Sequence, residues 1–289
     1  MLDDLLEALG YMVVSNILLR TFFIKAEAYG TAFTLEIDGE EFLVTARHLL
    51  SQEHQEFQIL VFHDEKWQSL NAQVVGHGRG EIDISVLRLP QRLSPAGYPV
   101  TPTIAGLAWG QDIYFLGFPY KMWGNVGNLM GGMPCPYAKK GTVSSYQLDD
   151  PQILHIDAIN NEGFSGGPLF FYPAGKPEEV RVAGVVSKFR VEYENVIDEN
   201  GEPTGMTVPY NTGFLIAYGS KYILSIIATY RKSRSSFKTN LPANWSPLKN
   251  PLQAPSVIGD SGTALKDGHP IARIQARKNA IQRSSQRRL

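Results

Sequence analysis

The sequence holds a single cysteine, Cys135, so no disulfide can form within the chain. The fold must stand on its packed core alone, which suits a reducing compartment, and a cytoplasmic protein is expected. The chain also lacks an excess of either charge. Its 27 Lys and Arg face 28 Asp and Glu, for a net charge of -1. Binding to nucleic acid by the bulk charge of the whole chain is thereby excluded. A long apolar run is missing as well. Met1-Leu2-Asp3-Asp4 carries acid where a secretory leader carries base, and Glu7, Ser15 and Asn16 interrupt the apolar stretch before Arg20. No window reaches the roughly 18 apolar residues that a spanning helix needs. No His, Cys and Asp grouping has the spacing of a zinc site, so neither a metal nor a cofactor is expected. No internal repeat recurs at a fixed period.

What remains is a 289-residue chain, 43% hydrophobic and 19% charged, enough for a sizeable core. Its charge is unevenly placed. Residues 232–289 hold eleven Lys and Arg against two Asp, a net of +9, which leaves -10 for the rest. This segment is rich in Ser, Pro, Asn and Arg and poor in apolar residues. Its composition reads as a disordered basic tail, because it buries too little to offset its ordering entropy. With little aromatic interleaving beyond Phe237 and Trp245, contact with nucleic acid or an anionic membrane ranks below a plain flexible extension.

Ahead of the tail the chain reads as strands. Residues 2–10 suit a short helix, with Leu2, Leu5, Leu6 and Leu9 on one face and Gly10 as a stop. Short apolar runs then follow at residues 33–37, 42–45, 57–62, 84–89, 113–117, 153–156, 168–171 and 182–187, with turn chemistry such as Asp38-Gly39 and Asn200-Gly201 between them. Many short strands without alternating helices predict an all-β barrel or sandwich. One closing helix is expected over residues 220–230, where Tyr222, Ile223, Ile226 and Ile227 form a stripe.

The most informative run is Gly163-Phe164-Ser165-Gly166-Gly167-Pro168-Leu169. A tight turn at Gly163 lets the N–H groups of Gly163 and Ser165 converge on whatever the hydroxyl attacks. Donors aimed at a developing oxyanion are worth about 10²–10³ in rate. Taken alone, the run also suits an ordinary β-turn. Two other segments accompany it. The strand ending Val44-Thr45-Ala46-Arg47-His48 supplies an imidazole, the usual base for a serine nucleophile. Asp83 opens the apolar strand Ile84-Ser85-Val86-Leu87, where a carboxylate is costly unless paired. Orienting an imidazole N–H would supply that partner. The chain order His, Asp, Ser is one in which this triad occurs.

These segments resemble the trypsin-fold (chymotrypsin-like) serine peptidases, in particular the disulfide-free bacterial Deg/HtrA kind. Gly30-Phe33 and Leu43-His48 match the family's first motif, and Asp83-Leu87 its second. Asp157-Leu169 matches the serine motif without a gap. Gly110-Pro119, Gly141-Ser144 and Gly184-Ser187 match the strands between and after. The match covers roughly residues 25–228. The resemblance implies two six-stranded antiparallel β-barrels with the site in the crevice between them. It also implies protein or peptide substrates, Ser165 as nucleophile, His48 as general base then acid, and Asp83 as orienter. The Gly163 and Ser165 amides would form the oxyanion hole. Ile159, six residues before the serine, and Ser187 would line the primary pocket. Since Ile159 is not an acid, small or apolar residues before the scissile bond are expected. The implied organisation is an N-terminal lead-in over residues 1–24, the peptidase domain over 25–231, and the tail over 232–289.

Three departures stand out. Arg47 replaces the family's small residue before the histidine and must find solvent or a carboxylate. Phe164 cannot pair with a newly cut N-terminal amine, so activation by that ion pair is not expected. The stretch from Tyr120 to Lys140 is a long loop rich in Gly, Met and Pro. Gly259-Asp260-Ser261-Gly262 copies the nucleophile motif by letter but lacks the following Gly-Pro. The competing reading is a catalytically silent trypsin-fold scaffold that holds a peptide in the crevice and anchors through its basic tail. Such a scaffold has no chemical need of all three triad residues.

Overall fold

The structure, a computed structural model, describes residues 14–50, 55–97, 100–177 and 179–239. The helix expected over residues 2–10 and the tail beyond Thr239 lie outside the described residues. A short helix α1 (Ser15–Leu18) leads into thirteen strands. The first six are β1 (Thr21–Lys25), β2 (Tyr29–Ile37), β3 (Glu40–Thr45), β4 (Glu56–His63), β5 (Lys66–His77) and β6 (Ser85–Arg88). They close into a barrel in the order β1-β2-β3-β6-β5-β4. The Asp38-Gly39 turn joins β2 to β3, and both residues take positive φ, 52° and 78°. Such a two-residue turn matches the strand twist and fixes the register Ile37↔Glu40.

The second barrel comprises β8 (Asp112–Gly117), β9 (Tyr137–Tyr146), β10 (Ile153–Asp157), β11 (Pro168–Phe171), β12 (Arg181–Ile197) and β13 (Pro203–Gly219). The order β11-β8-β9-β10-β13-β12 closes on itself because β11 also pairs with β12. A two-residue strand β7 (Thr101–Pro102) adds in parallel to the start of β12. The expected pair of six-stranded barrels is therefore the architecture observed.

Each barrel has its own apolar filling. Phe22, Ile24, Leu43, Val61 and Leu87 fill the first, and Ile113, Phe115, Leu154, Phe164 and Ala217 fill the second. A third cluster is shared. Phe33, Phe42 and Val44 of the first barrel meet Leu116, Phe170 and Tyr218 of the second. The closing helix α2 (Lys221–Thr239) adds Ile223 and Ile227 to that cluster. It runs on through residues 232–239, which the composition had assigned to the tail. Arg231 explains part of that extension: its guanidinium donates to the Ile37 carbonyl at 2.8 Å and pairs with Asp38. No described helix is long and apolar enough to cross a membrane.

Candidate active site

The site residues come from both barrels. β3 ends at Thr45, and a single 3₁₀ turn over Arg47–Leu49 carries His48. Asp83 stands just before β6. Its carboxylate accepts the His48 main-chain N–H at 2.9 Å and lies 2.6 Å from His48 Nδ1. A third bond comes from the Ser187 hydroxyl, which donates to Asp83 Oδ2 at 2.5 Å. Burial pushes the Asp83 pKa up, but the hydrogen bonds from His48 and Ser187 outweigh it and hold the carboxyl below the usual aspartate value. The Asp83 side chain is 14% exposed and that of His48 is 48% exposed. The imidazole is thus pinned at Nδ1 and open at its other edge.

Ser165 lies on the loop between β10 and β11, and the glycines around it answer to geometry. Gly163 and Gly166 take φ of 101° and 83°. A Cβ at Gly163 would meet the Phe118 carbonyl, and one at Gly166 would meet the Thr31 carbonyl and the Thr45 hydroxyl. Phe164 between them is fully buried and meets Phe115 edge-to-face at 5.0 Å. The departure at position 164 therefore anchors the loop by apolar packing. The first barrel grips the same loop through Thr31. Its N–H donates to the Ser165 carbonyl at 2.9 Å, and its hydroxyl to the Gly163 carbonyl at 2.7 Å. Among the described residues, the N–H groups of Gly163 and Ser165 bond to no acceptor. Two free amides with one residue between them can serve an oxyanion.

The expected bond between Ser165 and His48 is not formed. Instead the Ser165 hydroxyl donates to the Ser187 carbonyl at 2.9 Å. Ser187 thus touches both Asp83 and Ser165. It lines an open cleft of about 730 Å³ together with Arg47, His48, Glu162, Ser165 and Phe189. Ile159, expected at the pocket floor, is 60% exposed and outside that lining. Its carbonyl accepts from Lys139 Nζ at 2.6 Å, which holds this stretch outward. Glu162 and Phe189 occupy the cleft instead.

Arg47 is half-buried and finds no carboxylate among the described residues. Its guanidinium donates to the carbonyls of Gly78 and Gly80 at 2.7 and 2.8 Å, holding the loop that leads to Asp83. Thr31 and this use of Arg47 were invisible in the sequence, since both act on main-chain carbonyls and no side-chain motif marks such partners. Among the described residues, no cluster of His, Cys, Asp and Glu is built to hold a metal ion.

A family model described as a trypsin-like peptidase domain matches residues 30–177, just over half of the chain. The comparison with curated proteins gave no match. Among solved structures, the Rv3671c protease from M. tuberculosis in its active form is 19% identical, with a TM-score of 0.50 over 75% of this chain and 83% of that one. The HtrA-type protease AlgW with tripeptide is also 19% identical, with a TM-score of 0.47 over 75% of this chain and 62% of that one. The MamO protease domain from Magnetospirillum magneticum, in its apo form, is 14% identical with a TM-score of 0.44, over 74% and 98% of the two chains. At such identities the likeness is one of fold.

Proposed function

The chain belongs to the trypsin-like peptidase domain family, and from that premise we propose that it is a serine endopeptidase working through His48, Asp83 and Ser165. One observation carries the reading: the Asp83 carboxylate binds His48 Nδ1 and the Ser187 hydroxyl, while the Ser187 carbonyl holds the hydroxyl of Ser165. Base, orienter and nucleophile thus share one small network across the crevice. The proposed sequence begins when substrate enters the cleft and Ser165 turns about its Cα–Cβ bond toward the open edge of His48. Apo bonds of this kind commonly tighten only in the substrate complex. His48 then takes the hydroxyl proton as Oγ attacks the carbonyl carbon. The Gly163 and Ser165 amides receive the oxyanion, and His48 returns the proton to the leaving amine. Water releases the acyl group by the same path in reverse.

For the residue before the scissile bond we propose a small or apolar side chain. Phe189 gives the cleft an apolar wall next to Ser187, and each methylene buried against it gains about 0.8 kcal/mol. Glu162 also lines the cleft and is the group that would pair a basic side chain there.

A fluorophosphonate probe tests the reading. Wild-type protein should be labelled, with the adduct mapping to Ser165, and Ser165→Ala should stay folded and unlabelled. Labelling that survives in Ser165→Ala, or maps to Ser261, would sink the assignment. A folded wild type that takes no label returns the chain to the scaffold reading. A peptide library cleaved after basic residues would replace the apolar preference and assign Glu162 as their partner.

A further inference from the structure

Strand β12 outlasts the barrel it belongs to. Only its first residues pair with β11, up to Pro168↔Val185, and Val186 is held by Gly167. From Lys188 to Ile197 it pairs with β13 alone among the described residues, and no residue of that stretch is buried. The two strands form a ribbon with solvent on both faces. Such a ribbon is marginal by itself, and its open edge invites another strand.

The bonds to β13 decide which main-chain groups reach that edge. The Arg190 carbonyl accepts the Thr212 hydroxyl at 3.0 Å, and the Val196 carbonyl accepts the Thr204 hydroxyl at 2.8 Å. From Arg190 to Val196 the even-numbered residues therefore turn to β13. The pair Tyr193↔Pro209 fits this, because Pro209 has no N–H to give. The Ser187 carbonyl, bonded to Ser165, opens the odd-numbered series on the other side. The N–H and C=O groups of Phe189, Val191 and Tyr193 follow it on the open edge.

The side chains along this edge run Lys188-Phe189-Arg190-Val191-Glu192-Tyr193-Glu194. Charged and apolar residues alternate, with two cations ahead of Val191 and two carboxylates behind it. Reversed, the run is its own complement. Where two such strands cross antiparallel at Val191, Lys188 stands opposite Glu194 and Arg190 opposite Glu192. Phe189 stands opposite Tyr193 on the other face. The main chain agrees with the side chains, since Phe189, Val191 and Tyr193 are the residues that exchange bonds in this register, about six in all. A slip of two residues sets Arg190 against Arg190 or Glu192 against Glu192. Parallel pairing in register sets every charge against its like.

We propose that the edge of β12 from Lys188 to Glu194 joins two copies of the chain about a two-fold axis at Val191. The same patch serves both copies, as a two-fold interface requires. Main-chain bonds supply the affinity. The exposed ion pairs are weak singly and fix register and partner. Arg190 already binds Glu192 of its own strand at 2.5 Å, so the crossing joins two such pairs into one row of alternating charge. The ladder stops at Glu194 of the second copy, because Val186, beyond Ser187, is taken by Gly167. Tyr193 of the second copy then stands beside Phe189, a wall of the cleft. Each copy thus covers the site of the other.

Sedimentation velocity of the full chain tests the ladder. Wild type should pass from monomer to dimer between about 1 and about 100 μM. Arg190→Glu and Glu192→Arg, each alone, set like charges across the axis and should weaken the dimer about tenfold. Mixed in equal amounts, the two variants are complementary again and should form a heterodimer of wild-type strength. Val191→Pro lacks the N–H at the axis and should stay monomeric, with the melting temperature of the wild type, since that N–H faces the open edge. A wild type that is monomeric throughout overturns the proposal. So does an oligomer that survives Val191→Pro, or a mixture no stronger than either variant. Covering of the cleft is read by fluorophosphonate labelling, which rests on the proposed peptidase activity. Labelling per molecule should fall as the dimer fills, and a dimer labelled as fast as the monomer overturns the crossing at Val191. A chain that dimerises as described but takes no label at any concentration defeats only the peptidase reading.

Discussion

Asp83 shows how much rests on one carboxylate. Three hydrogen bonds converge on it, from the His48 main chain, the His48 ring and Ser187. Its pKa is held below the usual value, so it favours the folded state most fully above the unfolded aspartate value of about 3.9. That contribution is lost as the pH falls through the lower folded value. Melting temperature followed from neutral into acid should therefore fall more steeply in wild type than in Asp83→Asn. The same substitution should lower kcat by about 10³–10⁴-fold, because the imidazole loses its orienting anion. Equal acid slopes would mean that the network does not stabilise the fold. His48, Asp83 and Ser165 stood out as candidates in the sequence because each is a polar residue set in an apolar or glycine-rich run. Ile159 was not placed correctly, because a count of six residues from the serine carries no information about which way the loop turns. The main-chain partners of Arg47 were missed for a related reason: they are two glycine carbonyls, and glycines show no acceptor in the one-letter code.

At the scale of elements, the legible strands include two buried on both sides, Phe42–Thr45 and Pro168–Phe171, whereas β1, no less buried, was missed. β5 escaped notice because Lys66, Gln68 and Ser69 face water and polar residues dilute its apolar ones. The outer half of β12 carried a signal that went unread. Phe189, Val191 and Tyr193 alternate with Lys188, Arg190, Glu192 and Glu194, the period of a strand with one polar face. The closing helix was found, but its end was placed early, just before Arg231 binds the Ile37 carbonyl and Asp38. Helix α2 comes close to β5, where a Cβ at Gly76 would stand 2.8 Å from Ile226 Cγ2. It also fixes the second barrel through Tyr222, whose hydroxyl donates to Asp150 and accepts the Gln152 N–H at 2.5 Å. Burial, followed by the bond to Asp150, pushes the Tyr222 pKa up to about 12. Ile223 is fully buried in the shared cluster. Ile223→Ala should cost about 2–5 kcal/mol in denaturant unfolding. A loss below about 0.5 kcal/mol, the range of ordinary surface changes, would show that α2 is peripheral.

The molecule as a whole is two barrels that share one cluster of buried side chains. Phe33 and Phe42 on one side and Leu116 and Phe170 on the other have no solvent between them. Neither barrel can unfold without exposing that surface, which argues for one cooperative transition. Calorimetry should give a single peak whose calorimetric and van't Hoff enthalpies agree. Two separated peaks, or loss of near-ultraviolet dichroism before far-ultraviolet, would make the barrels independent. The division of labour across this boundary is strict: His48 and Asp83 belong to the first barrel, and Ser165 and Ser187 to the second.

Helix α2 follows the last strand of the second barrel in sequence yet also packs on β5 and β6 of the first. That order matters while the chain is being made. A ribosome adds about 5–20 residues each second, so the stretch from Ser165 to Thr239 takes roughly 4–15 s to appear. During that interval the first barrel waits with the flank beside Gly76 bare, and the crevice has only one finished wall. Chaperones that cover exposed apolar surface would meet the nascent chain there. Ser187 and Phe189, which line the cleft beside Ser165, are made after it, so Ser165 meets a completed cleft only once β12 has emerged and paired.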